Sequence, residues 1–176
     1  MTKYVALLRG ITPTNPVMKN EKLRAVFEKL GYQNVISVIS SGNIIFETTH
    51  ADAMSKLETT IETALQQELG IDIPTIVRSE QQLTRLASKK PFEEYAHGPT
   101  TYLVVTFLKT DLAANITSPG VYSIVGVYDN DICHSIDTTS TQRPDFIKWL
   151  EKNQGKEITT RTWKTVERII HKMHTT

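Results

Sequence analysis

Residues 34–48, with the sequence NVISVISSGNIIFET, decide the fold of this chain. Two β-branched and apolar runs, 34–39 and 44–48, flank the tetrapeptide Ser40-Ser41-Gly42-Asn43. Two such runs around a short turn that contains glycine predict a β-hairpin.

The segments around this hairpin predict one strand and one helix on each side of it. Apolar residues follow helical spacing before the hairpin and again after it, where the helix ends at Gly70. The predicted order is strand, helix, two strands, helix, strand, followed by a short helix capped by Ser79 and Gln82, which is the ferredoxin-like pattern. The strands are 4–9, 34–39, 44–48 and 73–78; the helical stripes are Leu23, Val26, Phe27 and Leu30, then Met54, Leu57, Ile61, Leu65 and Leu69.

The second half of the chain echoes this pattern loosely. It predicts a strand at 101–108, a hairpin formed by 121–128 and 132–137, a helix that Pro144 starts, and a last helix from about Thr162 to His174. We therefore predict an α+β chain of two packed ferredoxin-like subdomains, 1–90 and 91–176. The second is an altered or truncated repeat with an extra C-terminal helix.

Composition excludes several classes of protein. The 176 residues carry a net charge of +1, which argues against a general polyanion binder or membrane-surface binder. No apolar run approaches the roughly 20 residues that cross a bilayer. The single cysteine, Cys133, excludes an internal disulfide and suits a reducing compartment. We expect a cytoplasmic protein without a membrane segment.

The predicted topology brings two distant segments together. In a ferredoxin-like sheet the third strand runs antiparallel beside the first, so the end of strand 1 meets the turn between strands 2 and 3. Arg9 and Gly10 should then lie beside Ser41, Gly42 and Asn43. An arginine with short polar groups and glycines suits a carboxylate or phosphate. The competing interpretation is that Arg9 ties the loop at 10–18 to the hairpin and that Gly42 only forms the turn.

Four segments resemble the bacterial domain of unknown function 1697 family. They are ALLRGI at 6–11, SGNIIF at 41–46, KPF at 90–92 and RTWKTV at 161–166. The resemblance spans nearly the whole chain and implies two packed α+β subdomains of ferredoxin-like character, with no established activity.

The chain departs from the family pattern in three places, one of which is the tryptophan segment, where Thr162 and Lys164 stand in place of the commoner asparagine or arginine. Two prolines in residues 12–16, TPTNP, stand where the pattern has a glycine pair, which leaves a stiffer loop with fewer amides for an anion. His134 stands where arginine is usual. A typical histidine is neutral above about pH 6.5, so a binding role there is weakened.

The last helix gives a second set of candidate residues. Arg161, Lys164, Arg168 and Lys172 form a basic stripe at helical spacing. Residues 143–172 hold eight Lys/Arg against four Asp/Glu, while the remainder holds twelve against fifteen. This polarised charge indicates either a solvated helix face or a surface for anions.

Most catalytic and metal-binding patterns are missing or poorly placed. No phosphate-binding loop and no serine-nucleophile elbow occurs in the sequence, and Ser40 and Ser41 fit a turn better than a nucleophile. Neighbouring strand residues point to opposite faces, so Cys133 and His134 make a poor catalytic pair, and Cys133 is expected to be a small buried apolar residue. Asp129 with Asp131, and His171 with His174, are interpreted as turn and helix-end residues.

Three hypotheses remain open at this stage. The favoured one is a small-molecule or anion-binding protein whose site combines the first-subdomain cluster with Arg161 and Trp163. Enzymatic activity, catalytic residues and oligomeric state are left open, and no cofactor or metal is expected. The second is RNA binding, which is not favoured because the third strand lacks the RNA-recognition pattern. The third is a non-catalytic interaction module that dimerises through an open sheet edge.

Overall fold

The computed structural model describes residues 1–49, 53–110, 122–139, 146–155 and 157–176. The described chain divides into two compact units, residues 1–84 with 167–176, and residues 85–166. The sequence predicts a boundary at residue 90, with the whole last helix in the second subdomain. In the structure, residues 167–176, which include most of that helix, belong to the first unit.

The first unit is built on a four-stranded antiparallel sheet of order β2-β3-β1-β4. This is the ferredoxin-like order, because the two central strands are the first and third of the unit. The α+β prediction is confirmed. The elements are β1 (Thr2–Leu8), α1 (Asn20–Lys29), β2 (Gln33–Ser37), β3 (Asn43–Thr48), α2 (Met54–Leu69), β4 (Thr75–Ser79) and α3 (Glu80–Ser88).

One face of this sheet packs on α1 and α2 around an aromatic cluster. The Phe46 ring centroid lies 5.5 Å from that of Phe27, 5.6 Å from that of Tyr4 and 4.6 Å from that of Tyr32. Such ring pairs contribute beyond the burial of their apolar area. The helical stripes predicted from the sequence supply the rest of this core.

Helix α2 also covers the edge strand β4. The backbone N–H of Val77 donates to the Glu58 carboxylate at 2.9 Å, and the N–H of Thr75 donates to the Glu62 carboxylate at 2.9 Å. These donors face away from β1 and would otherwise be open to pairing with another chain. Two glutamates one helical turn apart thus close this edge of the sheet.

The second unit has the same strand order, β6-β7-β5-β8. The sequence predicts no strand between residues 155 and 162, where the structure has β8. Only Ile158 in that strand is apolar, so its pattern gives no period-2 signal. The elements are β5 (Thr101–Leu108), β6 (Tyr122–Tyr128), β7 (Asp131–Asp137), α4 (Phe146–Gln154), β8 (Ile158–Thr162) and α5 (Trp163–Thr175).

The two units repeat each other residue by residue along their paired strands. The N–H of Leu8 donates to Gly42 O at 2.8 Å, and the N–H of Leu108 donates to Asn130 O at 2.9 Å at the same place. Val5 lies opposite Arg78 in the first sheet, and Val105 lies opposite Arg161 in the second. The second unit is therefore a repeat with the complete four-strand order, although the segment between β5 and β6 lies outside the described residues.

Candidate functional site

The predicted meeting of two segments is present in the first unit. Leu7 lies opposite Asn43 in the sheet, and the next residue, Leu8, donates its N–H to Gly42 O. Paired residues lie about 5 Å apart and two more residues add about 7 Å, so Arg9 lies within roughly 12 Å of Asn43, Cα to Cα. We call this region, residues 9–20 and 37–43, the first-unit corner.

Gly42 lets the two segments of the corner approach each other. Its φ is +75°, and a Cβ atom built on it would lie 2.4 Å from Ile11 Cγ1 and 2.9 Å from Leu8 Cβ. Both the left-handed backbone and the missing side chain are therefore required here. Gly10 differs, since its φ is +74° but no atom lies within 4 Å of the corresponding Cβ position.

Asn43 holds the turn from inside. It is fully buried, and its amide nitrogen donates to Val38 O at 3.0 Å and to Ser41 Oγ at 3.0 Å. The backbone N–H of Val38 donates in return to Asn43 O at 2.8 Å. Asn43 thus positions the turn and orients Ser41, which is half-buried. Whether any of these residues touches a ligand stays a prediction.

Three further residues, two in the corner and one beside it on α1, were missed by sequence reasoning. Ile39 has a φ of +53° and is 40% exposed, and Asn20 donates from its amide nitrogen to Ile39 O at 3.1 Å. Arg24 donates from Nη1 to Ser37 Oγ at 2.7 Å, so α1 is tied to the hairpin at a second point. Period-2 alternation assigns Ile39 to a strand and carries no signal for a left-handed residue.

Arg161 lies in the second unit, on β8, whereas the sequence analysis placed it at the start of a helical basic stripe. Its Nη1 donates to Thr159 Oγ1 at 2.8 Å and to Thr160 O at 2.9 Å. Burial lowers the pKa of Arg161 to about 10, which still leaves it cationic at neutral pH. Helix α5 starts after it, and Lys164, Arg168 and Lys172 are the exposed members of the stripe.

Trp163 is the first residue of α5 and contacts Phe92 within the second unit. The two ring centroids lie 5.3 Å apart at an interplanar angle of 61°. Phe92 lies 6.5 Å from Tyr95 in an edge-to-face arrangement. The family-like segments at 90–92 and 161–166 therefore meet, as those at 6–11 and 41–46 do in the first unit. Phe92 is buried, and this contact supports packing.

Cys133 and His134 occupy opposite faces of β7, as predicted. Cys133 lies opposite Val105, while His134 Nε2 lies 2.9 Å from the Thr106 hydroxyl. Both residues are fully buried. Burial raises the pKa of the Cys133 thiol to about 12, with the Asp131 carboxylate adding to the effect, and burial lowers the pKa of His134 to about 3. Neither residue has the protonation state that a catalytic pair requires at neutral pH.

We expect Cys133 to be inert in the folded protein. Burial and a pKa of about 12 leave on the order of one thiolate in ten thousand at pH 8. Ellman's reagent at pH 8 should report no reaction in native buffer over an hour and one thiol per chain in 6 M guanidinium chloride. Native reaction at the rate of an unhindered thiol would contradict this.

The described residues offer no metal centre. No group of three or more histidine, cysteine, aspartate or glutamate side chains in them is arranged to hold an ion. Asp129, interpreted above as a turn residue, forms an ion pair with Arg85. His174 Nε2 lies 3.2 Å from the Thr84 hydroxyl at the end of α5. No helix of the described residues is long and apolar enough to cross a membrane.

Comparison with known proteins identifies the family. The family model described as "Protein of unknown function (DUF1697)" matches residues 1–119, which include the whole first-unit corner. The chain belongs to the DUF1697 family. A solved structure, that of the conserved bacterial protein SP0830 from Streptococcus pneumoniae, is similar over 99% of each chain at a TM-score of 0.77 and 20% identity. A search of curated proteins found no match.

These findings support the fold and leave the activity open. The resemblance to the family is confirmed by the match over residues 1–119, which contain three of the four quoted segments, and the two-unit α+β architecture is confirmed as well. At 20% identity the structural likeness carries no statement about ligands. A function has to be argued from the geometry of the corner.

Proposed function

We propose that the chain binds a small anion, a carboxylate or a phosphate, at the first-unit corner. The observation that carries the proposal is the charge of the corner. Residues 9–20 and 37–43 contain Arg9 and Lys19 and no acidic residue, in a chain whose net charge is only +1. Arg24 of α1, outside the corner, adds a third cation by its hydrogen bond to Ser37, against one exposed carboxylate at Glu21.

The chemistry of the corner suits such a ligand. Arg9 is half-buried, and a planar guanidinium forms charge-assisted, often bidentate hydrogen bonds to a carboxylate or phosphate. Ser41 supplies a hydroxyl, and the exposed backbone at Gly10 has no side chain that would block a close approach. Arg161 and Trp163 of the second unit remain candidates in their own right, to be tested by their own substitutions.

A thermal-shift screen of phosphorylated metabolites and small carboxylates tests the proposal. At least one anion should raise the Tm of the wild type, and Arg9→Ala should weaken its binding about tenfold, as expected for one charge-assisted hydrogen bond. The matched control is Lys22→Ala, which removes an exposed cation of α1 outside the corner. If no anion gives a Tm shift that Arg9→Ala reduces and Lys22→Ala keeps, the proposal fails.

The exposed basic stripe favours RNA as the second candidate. Sheet-type RNA recognition needs exposed aromatics on the central strands. Here residues Tyr4–Leu8 of β1 and Asn43–Phe46 of β3 are all buried. Only Lys164, Arg168 and Lys172 would then contact RNA, through phosphates. Filter binding with a salt-dependence slope near zero would exclude this candidate.

A further inference from the structure

Ile39 has a backbone conformation that its residue type disfavours. Its φ is +53°, and β-branched residues are rarely found in the left-handed region because of steric strain. The conformation is enforced from two sides. Asn20 donates to Ile39 O, and the preceding residue, Val38, is paired with Asn43 through both its N–H and its carbonyl.

The backbone shape alone does not explain an isoleucine at this position. The other non-glycine residues described with a positive φ are Asn34 and Asp129, of the types that tolerate this region, and Lys90, so Ile39 is the β-branched one among the four. Core packing explains it only in part, since 40% of the surface of the residue is exposed. Part of the apolar surface of Ile39 is therefore open to solvent within the corner, at a cost in backbone strain. Strain of this kind concentrates at ligand-binding sites.

We propose that the corner recognises an anion that carries an apolar chain, with the chain lying against Ile39. The inference rests on the proposed function and specifies its ligand class. Within one residue of the turn, the corner offers the exposed isoleucine, Ser40 and Ser41, and Gly42 bonded to the end of β1, where Arg9 follows. An amphiphilic anion such as a straight-chain carboxylate or an alkyl phosphate matches this combination of charge and apolar surface.

Two homologous ligand series test the inference by titration calorimetry. Acetate, butanoate, hexanoate and octanoate form one series, and inorganic phosphate with methyl, butyl and hexyl phosphate forms the other. Affinity should rise by up to about fourfold per methylene that reaches Ile39. Arg9→Ala should weaken every member of the preferred series by a similar factor. The head group is the one whose shortest ligand, acetate or inorganic phosphate, binds more tightly.

Variants of Ile39 separate the apolar contact from the strain. Ile39→Asn should flatten the chain-length dependence, leave the shortest ligand unaffected and raise the Tm by about 3 °C through relief of strain. Ile39→Val keeps a branched hydrocarbon and should keep most of the dependence. The matched control is Lys90→Asn. It relieves backbone strain at another left-handed residue, with a φ of 47°, in the second unit, and it should not change ligand binding.

The outcomes are distinguishable. Arg9-dependent binding of acetate or phosphate without any chain-length dependence would overturn the inference and leave the proposed function standing. A chain-length dependence that Ile39→Asn leaves unchanged would also overturn the inference. So would a concentration-dependent dimer, detected by analytical ultracentrifugation, that Ile39→Asn dissociates. If no member of either series binds in an Arg9-dependent way, the proposed function fails as well.

Discussion

Gly42→Ala should destabilise the protein by about 3 kcal/mol. About 1–2 kcal/mol comes from placing a side chain in the left-handed region, and about 1–3 kcal/mol comes from overpacking. The overpacking is specific, because the new Cβ would lie 2.4 Å from Ile11 and 2.9 Å from Leu8. Urea unfolding followed by circular dichroism measures the free energy of unfolding.

Gly10→Ala is the matched control for this prediction. Gly10 has nearly the same φ, +74°, but open space around its Cβ position. Its substitution should therefore cost only the left-handed part, about 1–2 kcal/mol. Equal losses in the two variants would show that Ile11 and Leu8 accommodate the new Cβ without cost, which would contradict the predicted overpacking.

His134 should make the protein increasingly unstable as the pH falls. Its folded-state pKa of about 3 lies below the ordinary value of 6.5. Below about pH 6.5 the unfolded chain therefore binds a proton that the folded chain does not bind. The free energy of unfolding falls as the pH is lowered, until about pH 3. The expected loss is about 2 kcal/mol between pH 8 and pH 5, and about 5 kcal/mol once the pH is below 3.

A neutral substitution should remove this part of the pH dependence. His134→Gln keeps a polar group near Thr106 and cannot take up a proton, so its stability curve should be flatter by about 2 kcal/mol over the same range. His171→Gln, an exposed histidine of α5, should reproduce the wild-type curve. Imidazole NMR signals of the wild type give a second measurement. A His134 signal that titrates near pH 6.5 would contradict the prediction.

Much of the first unit followed from local sequence patterns. Leu23, Val26, Phe27 and Leu30 marked α1, and the Ser79–Gln82 capping box is present, with the N–H of Gln82 donating to Ser79 Oγ at 3.2 Å. The meeting of Arg9 with the Ser41-Gly42-Asn43 turn also followed, because the strand order fixes which ends of the strands are neighbours. The role of these residues in binding remains a proposal.

The second unit was harder to predict because its pattern is weaker. β8 has a single apolar residue, and its place in the sheet depends on pairing with β5, which lies about fifty residues earlier in the chain. Arg161 was therefore assigned to a helical stripe. Pairing with a strand so far away in the sequence does not produce an alternating apolar pattern within β8 itself.

The sequence by itself determined the order of the elements in the first unit, the family and the meeting of Arg9 with the Ser41-Gly42-Asn43 turn. Helical spacing, β-branched runs and turn residues are local properties, because they depend on residues that are close together in the sequence. Only the tertiary structure decided that Asn43 is buried, that Ile39 is strained and exposed, and that His134 is held neutral. Burial and backbone strain depend on atoms supplied by distant parts of the chain, and no local pattern contains them.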